Sequence, residues 1–143
     1  MNLCAYNLLD RFDNKPNASV RICGQAKMLE AERADILVRV TVPRNVLEWY
    51  VDVLHANAIV EHGWCDYEGY DDTPREQLDQ RMASDVEAFV ASILTRDVRL
   101  VEASKSVMEK FASRILKREV RLFAVKQQLE WLVEGSWKPA LDL

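Results

Sequence analysis

Residues 61–72 read EHGWCDYEGYDD and gather five carboxylates, three large aromatics and two glycines, with no Lys or Arg among them. One chemistry that fits such a segment is protein recognition. Trp64, Tyr67 and Tyr70 offer stiff apolar area that slows a partner's departure, while Asp66, Glu68, Asp71 and Asp72 attract a basic surface and speed its arrival. The competing reading folds the aromatics back over the core and leaves the acids merely hydrated. Calcium binding fails on spacing, because the alternating Asp/Asn ligands and the distal Glu are missing.

His62 and Cys65 stand three residues apart, with His55 seven residues upstream. These are the ligand types of a zinc site, and equally those of a thiol nucleophile with an imidazole base. A tetrahedral zinc site needs a fourth ligand, for which Asp66, Cys4 or Cys23 would have to serve. With two histidines in the whole chain the pattern is thin, and neither a metal nor a cofactor is expected. The three cysteines form no CxxC pair and read as small buried apolar side chains in a reducing compartment.

A second charged surface is expected near the C-terminus. If residues 104–134 are helical, Lys110, Arg114, Lys117 and Arg121 share one face, with Arg118 close by. Such a face can hold phosphates. The chain nevertheless carries a net charge of −4, so solvent or an acidic protein surface is a better counterpart than nucleic acid. That charge is unevenly divided: 9 basic and 16 acidic residues over 1–95 give −7, and 10 basic and 7 acidic over 96–143 give +3.

Common catalytic fingerprints are missing: there is no phosphate loop, GxGxxG, HExxH, GxSxG or SxxK. The four glycines, at 24, 63, 69 and 135, are too scattered to cradle a phosphate. Their absence lowers the expectation of an enzyme without removing it.

The elements that must position these residues are read from periodicity. Cys4, Tyr6 and Leu8 alternate with their neighbours, as do Val20 and Ile22, and then Ile36, Val38, Val40 and Val42, so about three strands are predicted before residue 43. Residues 25–34 fit either a short helix or a longer hairpin strand. Beyond Pro43, Asn45 and Glu48 make a capping box, and Leu47, Tyr50, Val51, Leu54 and Ala58 fall on a helical stripe that Gly63 would end. Thr73, Pro74 and Glu76 then start a second helix, with Leu78, Met82, Val86, Phe89 and Ile93 on its apolar face. A third helix is predicted over 104–134 from Met108, Phe111, Ile115, Leu122, Val125, Leu129 and Leu132, with Gly135 as its stop. The expected fold is therefore α+β: an N-terminal β-rich part followed by three helices, the last two forming an antiparallel hairpin.

The length of 143 residues, 49% apolar and 29% charged, fits one domain over 1–143. No apolar run reaches membrane-spanning length, and no basic flank precedes an apolar stretch at the start, so a cytoplasmic protein is expected. Size, acidity and missing catalytic motifs favour a non-enzymatic protein-binding module acting by occlusion, analogous in those features alone to small acidic bacterial or phage immunity and inhibitor proteins. Two other readings stand beside it. One is a structural or oligomerising protein that pairs as a homodimer through the long C-terminal helix. The other is a small enzyme or metal protein using His55, His62 and Cys65.

Overall fold

Apolar side chains at every second position build a five-stranded antiparallel sheet in which each strand pairs with the next along the chain. Its strands are β1 (Ala18–Cys23), β2 (Ala26–Arg33), β3 (Ile36–Pro43), β4 (Glu48–His55) and β5 (Ala58–Asp66). The computed structural model describes residues 2–68, 72–102, 113–117 and 127–143. Across the central strands Leu29, Val40 and Val51 lie side by side, and Ala31, Val38 and Val53 form the next row. All six are sealed from solvent and form the floor of the core. Burial of β-branched side chains at period two selects strands here, since the stiff Val and Ile pack well on a pleat.

Two helices close over that floor. In α1 (Cys4–Leu8) and the 3-10 turn Leu9–Phe12, the residues Ala5, Leu8, Leu9 and Phe12 recur at helical spacing and are buried. The longer α2 (Arg75–Thr95) buries Leu78, Met82, Val86, Phe89, Val90 and Ile93. A three-stranded antiparallel sheet follows, made of β6 (Val98–Glu102), β7 (Gln127–Val133) and β8 (Ser136–Pro139) in that order. Leu129 and Ala140 carry it into the same core.

Side chains tie the two sheets together. The Glu61 carboxylate on β5 accepts the Leu129 backbone N–H of β7 at 2.7 Å. Gly63 leaves room for the segment after β8, since a Cβ there would stand 3.1 Å from Leu143 Cδ1 and 3.2 Å from Leu141 Cδ2. At the far edge of the large sheet, β1 is covered by the turn before it. The Val20 N–H donates to Asp13 Oδ1 at 3.0 Å, and the Ala18 N–H donates to the Lys15 carbonyl at 3.3 Å. Lys27, a buried cation on β2, is held by Asp10 Oδ2 at 3.0 Å and sits 4.1 Å from the Tyr6 ring centre.

The expected order of three strands followed by three helices is overturned. Among the described residues there are eight strands in two antiparallel sheets, and only α2 is a helix of substantial length. The stretch around Cys4, Tyr6 and Leu8 is helical rather than extended. Of residues 25–34, Ala26–Arg33 form strand β2, with the ends in turns. The helix expected between Asn45 and Gly63 is instead the β4–β5 hairpin, closed by Ala56 and Asn57 with φ of 52° and 64°, the left-handed pair of a type I′ turn. A bulge follows at Val53/Leu54, where Val53 opposes Glu61 and Leu54 opposes Ile59, leaving Val60 as the extra residue.

The helix expected over 104–134 fails at its C-terminal end, where Leu129 and Leu132 lie on β7. Gly135, at φ 82°, turns a tight hairpin with Glu134 instead of stopping a helix. The antiparallel helical hairpin with α2 therefore does not form as expected. Of the remaining seam, Ile115 lies in the short helical stretch at 113–116, and Met108, Phe111, Leu122 and Val125 fall outside the described residues. The start of α2 comes one residue later than predicted, with Pro74 rather than Thr73 as its N-cap. Two cysteines depart from expectation as well: Cys4 and Cys23 are exposed, and Cys65 is half-buried. No described helix is long and apolar enough to cross a membrane.

Candidate functional site

Strand alternation divides the acidic–aromatic segment between two faces of the large sheet. Trp64 and Asp66 project from the outer face, away from α1 and α2, while Cys65 and Tyr67 point inward and pack against the core. Opposite them on β4, the register pairs Glu48 with Asp66, Tyr50 with Trp64, and Asp52 with His62. The outer surface of this hairpin is thus a ladder of six aromatic, acidic and imidazole side chains, with Leu47, Trp49, Val51 and Val53 alternating onto the buried side.

Glu48 organises the ladder. Its carboxylate accepts the Tyr50 hydroxyl and, at 3.3 Å, the Trp64 indole N–H. The hydrogen bond from Tyr50 to this neighbouring anion pushes the phenol up to about 12, because losing its proton would set two negative charges together. The Tyr50 ring stacks on His62 at 6.3 Å between centres and 25° between planes. His62 in turn bonds Asp52 Oδ1 through Nδ1 at 2.6 Å. Trp64 keeps 54% of its surface open to solvent even though its ring is anchored at the indole nitrogen. What results is a preoriented aromatic rimmed by Glu48, Asp52 and Asp66.

Tyr67 does different work. Its hydroxyl accepts the Trp49 indole N–H at 3.0 Å and donates to Asp85 Oδ2 at 2.7 Å, joining β4 to α2. Burial, then the neighbouring Cys65 and Asp85, push the phenol far above its ordinary value and keep it a donor. Glu68 is exposed and pairs with Arg75 at 3.0 Å, while Asp66 Oδ1 accepts the Glu68 backbone N–H at 2.9 Å. Asp72 is exposed beyond the strand. Tyr70 and Asp71 lie outside the described residues.

The zinc or thiol grouping is not brought together. His62 belongs to the outer ladder and Cys65 to the inner face, while His55 pairs with Asp35 Oδ2 at 2.8 Å near the end of the hairpin. Among the described residues no group of three or more His, Cys, Asp and Glu converges on a metal position. The Asp52–His62 pair holds an imidazole as a base is held, but Cys65, the nucleophile type nearest in sequence, points the other way. Of the basic face, Arg114 and Lys117 are exposed at 113–117, and Lys110, Arg118 and Arg121 lie outside the described residues.

Glu48, Tyr50 and Asp52 are not among the site residues expected from the sequence, where Glu48 reads as half of a capping box and Tyr50 as part of a helical stripe. Their signal was the alternation of polar and aromatic positions with Leu47, Trp49, Val51 and Val53, which a helical stripe hides. Comparison with protein-family models, with curated proteins and with solved structures gives no match.

Proposed function

We propose that the chain is a non-enzymatic protein-binding module that acts by occluding a partner, and that it does so with the outer ladder of β4 and β5. The observation that carries this reading is Trp64, more than half exposed yet fixed by Glu48. A large ring already held in place loses little entropy when a partner covers it, so more of the contact energy becomes affinity. Around it Glu48, Asp52 and Asp66 form an acidic rim that would steer a basic protein surface. The mode of action is that of small acidic immunity or inhibitor proteins, by analogy of size and charge.

The test uses proteins retained by the tagged chain and not by its Trp64→Ala variant, with kinetics then measured on the partner so identified. Trp64→Ala should cost about 2 kcal/mol of affinity through faster dissociation. Asp66→Asn should slow association and flatten its salt dependence, with dissociation almost unchanged. Folded variants that bind the partner as the parent does would sink the proposal.

A further inference from the structure

On the opposite side of the large sheet from the ladder, a cleft of about 390 Å³ opens between β4–β5, α2 and the small sheet. Its size falls within the range of small-ligand sites. Trp49, Tyr67, Phe89 and Trp131 are among its lining side chains, and Phe89 touches two of the other rings. Phe89 meets Trp49 edge-on at 5.4 Å and lies 5.5 Å from Trp131. Among the described residues the charged groups in the lining are both carboxylates, Asp85 and Asp142, with no Lys or Arg beside them. Asp85 is fixed by the Tyr67 hydroxyl on one oxygen. The raised Tyr67 phenol stays a neutral donor in that hydrogen bond.

Aromatic walls beside a positioned carboxylate favour one kind of guest. A neutral apolar guest would gain the walls but leave the carboxylates without a counter-charge, and an anion would be repelled by both. An ammonium group on a small organic body satisfies both features at once. We infer that the cleft bordered by Trp49, Phe89, Trp131, Asp85 and Asp142 binds a small organic cation, independently of the outer ladder.

Choline is the probe, and its neutral isostere 3,3-dimethylbutan-1-ol is the control of equal shape. In NMR titrations of the full chain, choline should shift the indole N–H signals of Trp49 and Trp131 in a saturable way and leave that of Trp64 in place. The alcohol should bind about tenfold more weakly or not at all, as removal of the cation–π and charge attractions requires. Asp85→Asn keeps an acceptor for Tyr67 and removes the charge, and it should weaken choline binding by about tenfold. If that variant does not fold, the exposed Asp142→Asn replaces it and should weaken binding several-fold. Equal binding of the alcohol, shifts confined to Trp64, undiminished affinity in the folded charge variant, or no saturable shift would each overturn the inference.

Discussion

The indole N–H of Trp49 and the hydroxyl of Tyr67 meet at 3.0 Å, and this bond fixes the deepest aromatic of the large sheet to the strand end beside it. Trp49 is 1% exposed, and its N–H is satisfied by Tyr67. Tyr67→Phe keeps the ring and strands that donor. The expected cost is about 1–3 kcal/mol, the penalty of an unsatisfied buried polar group, read as a lower urea midpoint with an unchanged slope. A midpoint equal to that of the parent would show the bond to be dispensable.

Glu48 controls the ionisation of Tyr50. Glu48→Gln removes the nearby anion, so the phenol should fall from about 12 towards its ordinary value of 10.0, followed by phenolate absorbance. For stability the sign follows directly. A phenol raised in the folded state contributes fully below its unfolded value and loses that contribution as pH climbs from 10 through 12. The variant should therefore resist alkaline unfolding better, relative to its own neutral stability, than the parent does. An unchanged tyrosine titration would mean that another group sets it.

Glu61 is the acid-side counterpart. Burial raises its carboxyl above 4.5, with the Leu129 N–H partly opposing that rise. The folded state thus holds the proton more tightly than the unfolded chain. Stability from this group is complete below 4.5 and declines as pH rises through the raised folded value. Glu61→Gln retains an acceptor for Leu129 and abolishes the titration. Measured from about pH 4 to about pH 8, the parent should lose stability relative to the variant. A relative gain with rising pH would contradict the assignment.

Gly63 tests the junction between the sheets. An added methyl would press on the ends of the Leu141 and Leu143 side chains, which can yield by a few tenths of an ångström. Gly63→Ala should cost less than about 1 kcal/mol, whereas Gly63→Val, with two further methyls, should cost about 1–3 kcal/mol. Equal melting behaviour of all three proteins would remove the close approach from the list of constraints.

Legibility in the sequence tracked how one-sided each element is. Strand β3 could be read because Ile36, Val38, Val40 and Val42 are buried and Leu37, Arg39 and Thr41 are not. The α2 helix could be read because Leu78, Met82, Val86, Phe89 and Ile93, all buried, step by three and four. Strand β4 misled because both its faces carry large side chains. Tyr50 and Leu54 on the outer side fall at helical spacing from Leu47 and Val51 on the inner side, and the turn after them is Ala56-Asn57, without a glycine. The run of aromatic and β-branched residues at Trp49, Tyr50, Val51 and Val53 was the signal for a strand. Once that strand was missed, so was the ladder, since a site shared between paired strands exists only in the register. The recognition segment itself, with Trp64 and Asp66, was visible, but its split into an outward and an inward half was not.

The covered edge of β1 bears on how this protein behaves when crowded. A bare edge strand is a template on which further chains can add, and growth of that kind ends in insoluble fibrils. Here the Asp13 side chain and the Lys15 carbonyl already occupy the outward N–H groups of Val20 and Ala18, so an incoming strand finds two of its rungs taken. Asp13 therefore acts as a guard against polymerisation through this edge, and its loss would show in the shelf life of concentrated solutions before it showed in the fold.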